Sequence, residues 1–194
     1  MTRAGAILAA ALASVILGGC AIATDAPVLR GAGPSLLRNG DFESAPSPGR
    51  GCPPSWWCTM HADTDSFNFG LAAGQGSAGR HLRVTRVKPE PWALVTQVIP
   101  GAGLVGKRVR MSVAVNAEGR DGAAGPVVIL QGVGGRVLGQ RRSMLPAGPG
   151  WRRASAEIDV VAGTEQVEFG LLVDGAGSVG FDDVEAMVVT PPGR

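Results

Sequence analysis

Tyrosine is absent from this chain, histidine occurs only at His61 and His81, and lysine only at Lys88 and Lys107. Each scarcity excludes something. Four tryptophans and five phenylalanines are the whole aromatic stock of 194 residues, little material for a broad stacking surface. The two histidines fall in different segments, and no serine stands in a nucleophile elbow, so serine–histidine acyl chemistry has no frame. No His-Glu-X-X-His, phosphate loop or dinucleotide fingerprint occurs either. Carboxylates sit mostly at turns, and Asp174-Gly175-Ala176-Gly177 reads as a hairpin. That leaves no obvious pair to flank a cleft, as sugar hydrolysis requires. The expectation is a protein without catalysis. An excess of either charge is also missing. Eighteen Lys plus Arg against sixteen Asp plus Glu leave a net +2, no electrostatic footprint for nucleic acid. Arg141-Arg142 and Arg152-Arg153 read as solvated strand faces.

What is present begins at the amino end. Arg3 and the apolar run Ile7 to Leu17 have the layout of an export signal, too short to span a bilayer with ease. Leu17-Gly18-Gly19-Cys20 then resembles a bacterial lipobox, which implies removal of residues 1–19 and acylation of Cys20. The competing readings are an ordinary cleaved signal with a chance cysteine, and an uncleaved anchor. Each buried methylene contributes about 0.8 kcal/mol, so two or more acyl chains hold a protein stably on a membrane. Ala21 follows the cysteine. By resemblance to proteobacterial lipoproteins, this implies the outer membrane, with the domain in the periplasm or at the cell surface. Residues 20–34 read as the lipidated cysteine and a flexible tether.

With Cys20 taken by lipid, Cys52 and Cys58 remain as an even pair around Pro53-Pro54-Ser55-Trp56-Trp57. In an oxidising compartment the expectation is a disulfide, worth roughly 2 kcal/mol for so short a loop. A metal pair is the alternative, but no second cysteine pair or histidine cluster completes a zinc site.

Period-two alternation dominates after residue 80. Val109, Met111, Val113 and Val115 share one face, as do Val167, Phe169, Leu171 and Val173, and Ala154, Ala156, Ile158 and Val160. Further strands are expected at 81–87, 92–99, 126–133, 136–143 and 179–189. Gly- and Pro-rich breaks separate them, among them Gly119 to Gly125. The pattern predicts an all-β, antiparallel sandwich over residues 35–190, one domain with no internal repeat.

The order of motifs in that domain resembles the jelly-roll carbohydrate-binding modules of the galactose-binding-like group. Asn39-Gly40-Asp41-Phe42-Glu43 is followed by Pro54-Ser55-Trp56. Then come Ser77 to Val84, Trp92 with Gln97 and Ile99, Gly106 to Ser112, Trp151, and Phe181-Asp182-Asp183-Val184. The resemblance implies an antiparallel jelly roll whose first and last strands lie together and share a structural calcium ion. Carried over, its ligands are Asp41 through the backbone carbonyl, Glu43 and Asp182, with Asp63 or Asp65 as a further candidate. Carboxylates gathered from opposite ends would repel without a cation, and hard oxygen donors suit calcium. The resemblance also implies a glycan partner. Phe42, Phe169, Phe181 and Trp151 are expected in the core, and one of Trp56 and Trp57 as a plug. The candidate sugar-binding residues are Trp57, Trp92, Gln97 and Arg86, with Gln131 as a further possible polar partner. The reading is a non-catalytic, glycan-binding envelope lipoprotein. Its alternative is a structural or protein-interaction envelope lipoprotein, with a protein partner and no sugar cleft.

Overall fold

The computed structural model describes residues 34–44, 51–74, 79–117 and 121–189. The expected signal segment, Cys20 and all but the last residue of the tether lie outside the described residues.

Alternating sequence becomes alternating burial. In β5 (Arg108–Asn116), Val109, Met111, Val113 and Val115 are all fully buried. The same holds in β10 (Gln166–Asp174) for Val167, Phe169 and Leu171. The other expected strands are β3 (Arg80–Arg86), β4 (Trp92–Pro100), β6 (Ala123–Gln131), β7 (Val137–Arg142), β9 (Trp151–Asp159) and β11 (Ser178–Val189). Three were not anticipated: β2 (Phe67–Ala73) and the short β1 (Trp57–Met60) and β8 (Leu145–Pro146). The end of one expected break, Gly119 to Gly125, is also strand, because β6 starts at Ala123 and runs through Gly125. Gly125 is needed there, since a Cβ would lie 2.0 Å from the carbonyl oxygen of Ser143.

The strands form two antiparallel sheets. One has six strands, in the order β1-β4-β10-β6-β7 with β8 also on β6; the other has five, in the order β2-β3-β11-β5-β9. Each sheet turns one apolar face inward, where Phe42, Phe169, Phe181, Leu82 and Met111 are fully buried. The result is a β-sandwich with a single core. Trp151 departs from expectation. It lies on the outward phase of β9 opposite Asn116, while Ala154 and Ala156 point inward.

The opening motif acts as a clamp. Asn39 takes a left-handed backbone (φ 49°); its amide donates to the Pro54 carbonyl at 2.9 Å and accepts from Ser44 N at 3.0 Å. Trp56 donates its indole N–H to Asn39 O at 3.0 Å and packs on Phe42 with centroids 5.6 Å apart. The same segment joins the last strand: Leu36 N donates to Ala186 O at 2.7 Å, and Val184 N to Gly40 O at 2.9 Å. Gly40 has no room for a Cβ, which would strike Val184 O at 2.0 Å. Opening and closing motifs therefore meet, as the resemblance implies.

Candidate functional site

A disulfide joins Cys52 to Cys58 with Cα atoms 5.6 Å apart, inside the usual range for such a bridge. It closes the loop that feeds β1. Alternation then sends the two adjacent indoles in opposite directions, with Trp56 buried at 5% exposure and Trp57 standing out at 73%. One plugs the sandwich and the other is presented to solvent.

Trp57 lies opposite Thr96 of β4, Thr96 opposite Gly170 of β10, and Gly170 opposite Val127 of β6. One row thus crosses four strands on the outer face of the six-stranded sheet. The next row is Val98, Glu168 and Ile129. Gly170 lets the neighbouring side chains close over its backbone: a Cβ would meet Leu94 Cδ1 at 2.8 Å and Val127 Cγ1 at 2.9 Å. An open hollow of about 920 Å³ lies here, lined by Trp57, Thr96, Val98, Gln131 and Glu168, with Arg38 and Gln97 at one end. Its lining mixes aliphatic side chains (Leu36, Val98, Ile99) with polar ones, and of its two indoles only Trp57 is exposed. Glu168 is half-buried and accepts from Gln131 Nε2 at 2.7 Å. Burial pushes its carboxyl above the ordinary glutamate value, and a hydrogen bond from Thr96 opposes the rise.

The four candidate binding residues do not converge. Trp92 shares the outer face with Trp57 but sits four residues along β4 from Thr96, roughly 13 Å away. It is half-buried, with His61 edge-on at 5.8 Å. Gln97 lines the hollow, yet its amide bonds the Arg38 backbone in both directions, at 3.1 Å and 2.6 Å. It clasps the opening segment to β4. Arg86 is on β3, in the other sheet, and donates Nε to Lys88 O at 3.0 Å. Gln131, read from the sequence as a possible polar partner, does line the hollow. Glu168 and Thr96 were missed, and only the register of β4, β10 and β6 brings the three together. Asp174 shares the outer face of β10 with Glu168, six residues and roughly 20 Å along the strand. That exceeds the separation of about 5–9.5 Å between the carboxylates of a glycosidase.

At the junction of the two chain ends, Glu43 Oε1 accepts from Arg80 N at 2.5 Å, and the Arg80 Nε lies 3.6 Å from the other carboxylate oxygen. Asp41 accepts from Glu43 N at 3.3 Å. Asp182 is 1% exposed and accepts from Asp183 N at 2.8 Å. Asp63 lies against Lys88 at 3.0 Å, and Asp65 donates its N–H to Asp63 at 2.9 Å. Among the described residues no group of three or more His, Cys, Asp or Glu side chains is poised for a metal ion.

No protein-family profile and no curated protein matches this chain by sequence. Solved structures do match. The CBM22-1 xylan-binding domain of Paenibacillus barcinonensis Xyn10C superposes with a TM-score of 0.56 at 16% identity, covering 84% of this chain and 99% of that one. The fold is that of the jelly-roll carbohydrate-binding modules. A second such module, TmCBM61 solved with β-1,4-galactotriose, matches with a TM-score of 0.51 at 14% identity, over 80% of this chain and 99% of that one. The jelly roll also matches the enzymatically active domain of bacteriophage CBA120 tailspike protein 4, with a TM-score of 0.60 at 13% identity. There it covers 80% of this chain and 21% of that one.

Proposed function

We propose that this chain is a non-catalytic glycan-binding lipoprotein of the cell envelope, anchored through Cys20 and carrying a structural calcium site. The observation that carries the glycan reading is Trp57. It is 73% exposed, held beside a disulfide, and stands at the rim of a hollow with polar groups in reach. An indole so held can stack on the C–H face of a pyranose, while Gln131, Glu168 and Thr96 supply donors and acceptors for its hydroxyls. The jelly-roll neighbours named for xylan and galactotriose support the same reading. The lone carboxylate at the hollow among the described residues speaks for binding without hydrolysis.

The donors suit calcium in kind: carboxylate and carbonyl oxygens contributed by both ends of the domain, with Asp182 buried. Asp41 through its carbonyl, Glu43 and Asp182 would hold the ion, which would neutralise the carboxylates and tie the ends together. Arg80 already brings positive charge to Glu43, so chelation tests which cation matters. A fall in Tm on chelation, restored by calcium alone, supports the ion; an unchanged Tm removes it.

The second reading, a protein-interaction module of the envelope, rests on the apolar part of the same hollow, where Val98 is 47% exposed beside Ile99 and Pro100. A glycan-array screen of the full chain in mild detergent decides between them. Binding to glycans that is lost in Trp57→Ala supports the first reading. Silence from folded, calcium-loaded protein overturns it.

A further inference from the structure

Three buried side-chain nitrogens among the described residues have no hydrogen-bond partner: His81 Nδ1, Trp151 Nε1 and Arg152 Nε. His81 and Trp151 line one hollow of about 410 Å³ on the outer face of the five-stranded sheet, on the opposite side of the sandwich from Trp57. Leaving a buried polar group unpaired costs about 1–3 kcal/mol, and two in one place ask for an explanation.

Register builds this hollow. Gly180 of β11 lies opposite Arg83 of β3 on one side and Asn116 of β5 on the other, and Asn116 lies opposite Trp151 of β9. His81 stands two residues before Arg83 on the same face. A Cβ at Gly180 would come within 3.0 Å of Trp151 Cη2 and 3.1 Å of His81 Cδ2. The two rings therefore meet over the glycine, edge to face, with centroids 5.3 Å apart. Ser178 completes the lining and shares a 2.7 Å hydrogen bond with Thr85. Arg83 is the exception on this face. Arg108, Arg110 and Arg153 are each paired with a carboxylate, Asp159, Glu157 and Asp183. Arg83 is exposed and has neither an ion pair nor a hydrogen bond among the described residues.

We propose that this hollow is a second ligand site, for a saccharide unit that carries a carboxylate. The exposed Arg83 guanidinium only donates, so the matching ligand is rich in acceptor oxygens. The guanidinium fork fits a carboxylate in two parallel bonds. The Trp151–His81 corner offers an apolar wall for a sugar ring, and Asn116 and Ser178 lie within the lining for its hydroxyls. The volume is within the range of small-ligand sites, about 300–1,000 Å³. The site is independent of the Trp57 face and does not rest on the glycan reading of that face.

The test is NMR of the full nitrogen-15-labelled chain in mild detergent, titrated with glucuronate and galacturonate, with glucose, galactose and acetate as controls. Trp151→Phe assigns the Trp151 indole resonance and Trp57→Phe that of Trp57. The expected result is a saturable shift of the Trp151 indole with uronates, absent with the neutral sugars, while the Trp57 indole stays still. Arg83→Met, a surface change that leaves the core intact, is expected to weaken that binding about tenfold or more, the loss of one charge-assisted pair. Absence of a saturable Trp151 shift would overturn the site. Unchanged affinity in Arg83→Met would overturn the carboxylate assignment. Equal affinity for acetate would overturn the saccharide in favour of a small organic acid. A shift confined to Trp57 would support the first site and sink this one.

Discussion

The two outer faces of this sandwich are built from the same alternating strands and finish them differently. On the five-stranded sheet the outward positions of β5 and β9 carry rungs of opposite charge. Arg108 bonds Asp159 twice at 2.7 Å, and Arg110 bonds Glu157 at 2.6 Å. On the six-stranded sheet the same positions carry Leu94, Val98, Val127, Ile129 and Leu172 around Gly170. A cross-strand ion pair satisfies its own strands and leaves nothing for a ligand. An aliphatic floor with half-buried polar groups at its edge keeps unspent contact area. The difference separates the β5–β9 rungs, which hold themselves together, from surfaces that can hold something else. Those are this aliphatic one and the Gly180 hollow on the other part of the five-stranded sheet.

That contrast can be broken most forcefully within one dipeptide. Trp56→Ala is expected to destabilise the domain by about 3–5 kcal/mol, as the loss of a buried aromatic does. Trp57→Ala should change stability by less than about 0.5 kcal/mol and still abolish glycan binding. Denaturant melts of both variants beside the glycan array check the pair. Equal destabilisation would mean that Trp57 packs and is not presented. Next in size is Gly170→Leu, which drives a side chain into Leu94, Val127 and Thr96. The expectation is a loss of about 1–3 kcal/mol from overpacking, together with loss of ligand at this face.

Smaller still is the coupling on the opposite face. A double-mutant cycle between Arg110 and Glu157 should give about 0.2–1 kcal/mol, falling with added salt, with glycan binding untouched. The smallest effect concerns Glu168. Its carboxyl is raised by burial, so the folded state favours the protonated acid. That stabilising preference is fully present below the unfolded value near 4.5 and is lost as pH rises through the folded value. At neutral pH the charged group is a mild cost. Glu168→Gln should raise Tm at neutral pH by about 2 °C or less, with the gain gone in acid. A gain that persists in acid would refute the assignment.

How much of this was legible depends on the reach of each interaction. The strands β5, β9, β10 and β11 were readable because alternation is a local signal, four to six residues long. In β6 the strand was expected from Pro126, and the signal failed at Ala123 to Gly125, read as the end of a glycine-rich break. Here Gly125 is needed because the Ser143 carbonyl approaches it, a fact held by a segment eighteen residues away. β1 is four residues long and hides between a cysteine loop and a turn. The pairing of Cys52 and Cys58 was legible by counting. The division of labour between Trp56 and Trp57 was legible as an expectation, with Trp57 named as the candidate for the ligand. Glu168 and Gln131 were invisible as partners because their meeting depends on strand register across thirty-seven residues. Gln97 was read for its amide, which the fold spends on Arg38. Trp151 was read as core because it starts a strand, and register turned it outward.

The hydrogen bonds between the opening segment and the last strand also set how the domain answers force. Leu36 pairs with Ala186 and Gly40 with Val184, so the two segments run in opposite directions with their outer ends side by side. Tension between residues 34 and 189 loads these bonds one after another, as in a zipper, not together, as in a shear joint. The opening motif is expected to peel away at low force in a single-molecule stretch, ahead of the sandwich. The sheets behind it would then stand intact, with the Cys52–Cys58 bridge holding its own short loop closed.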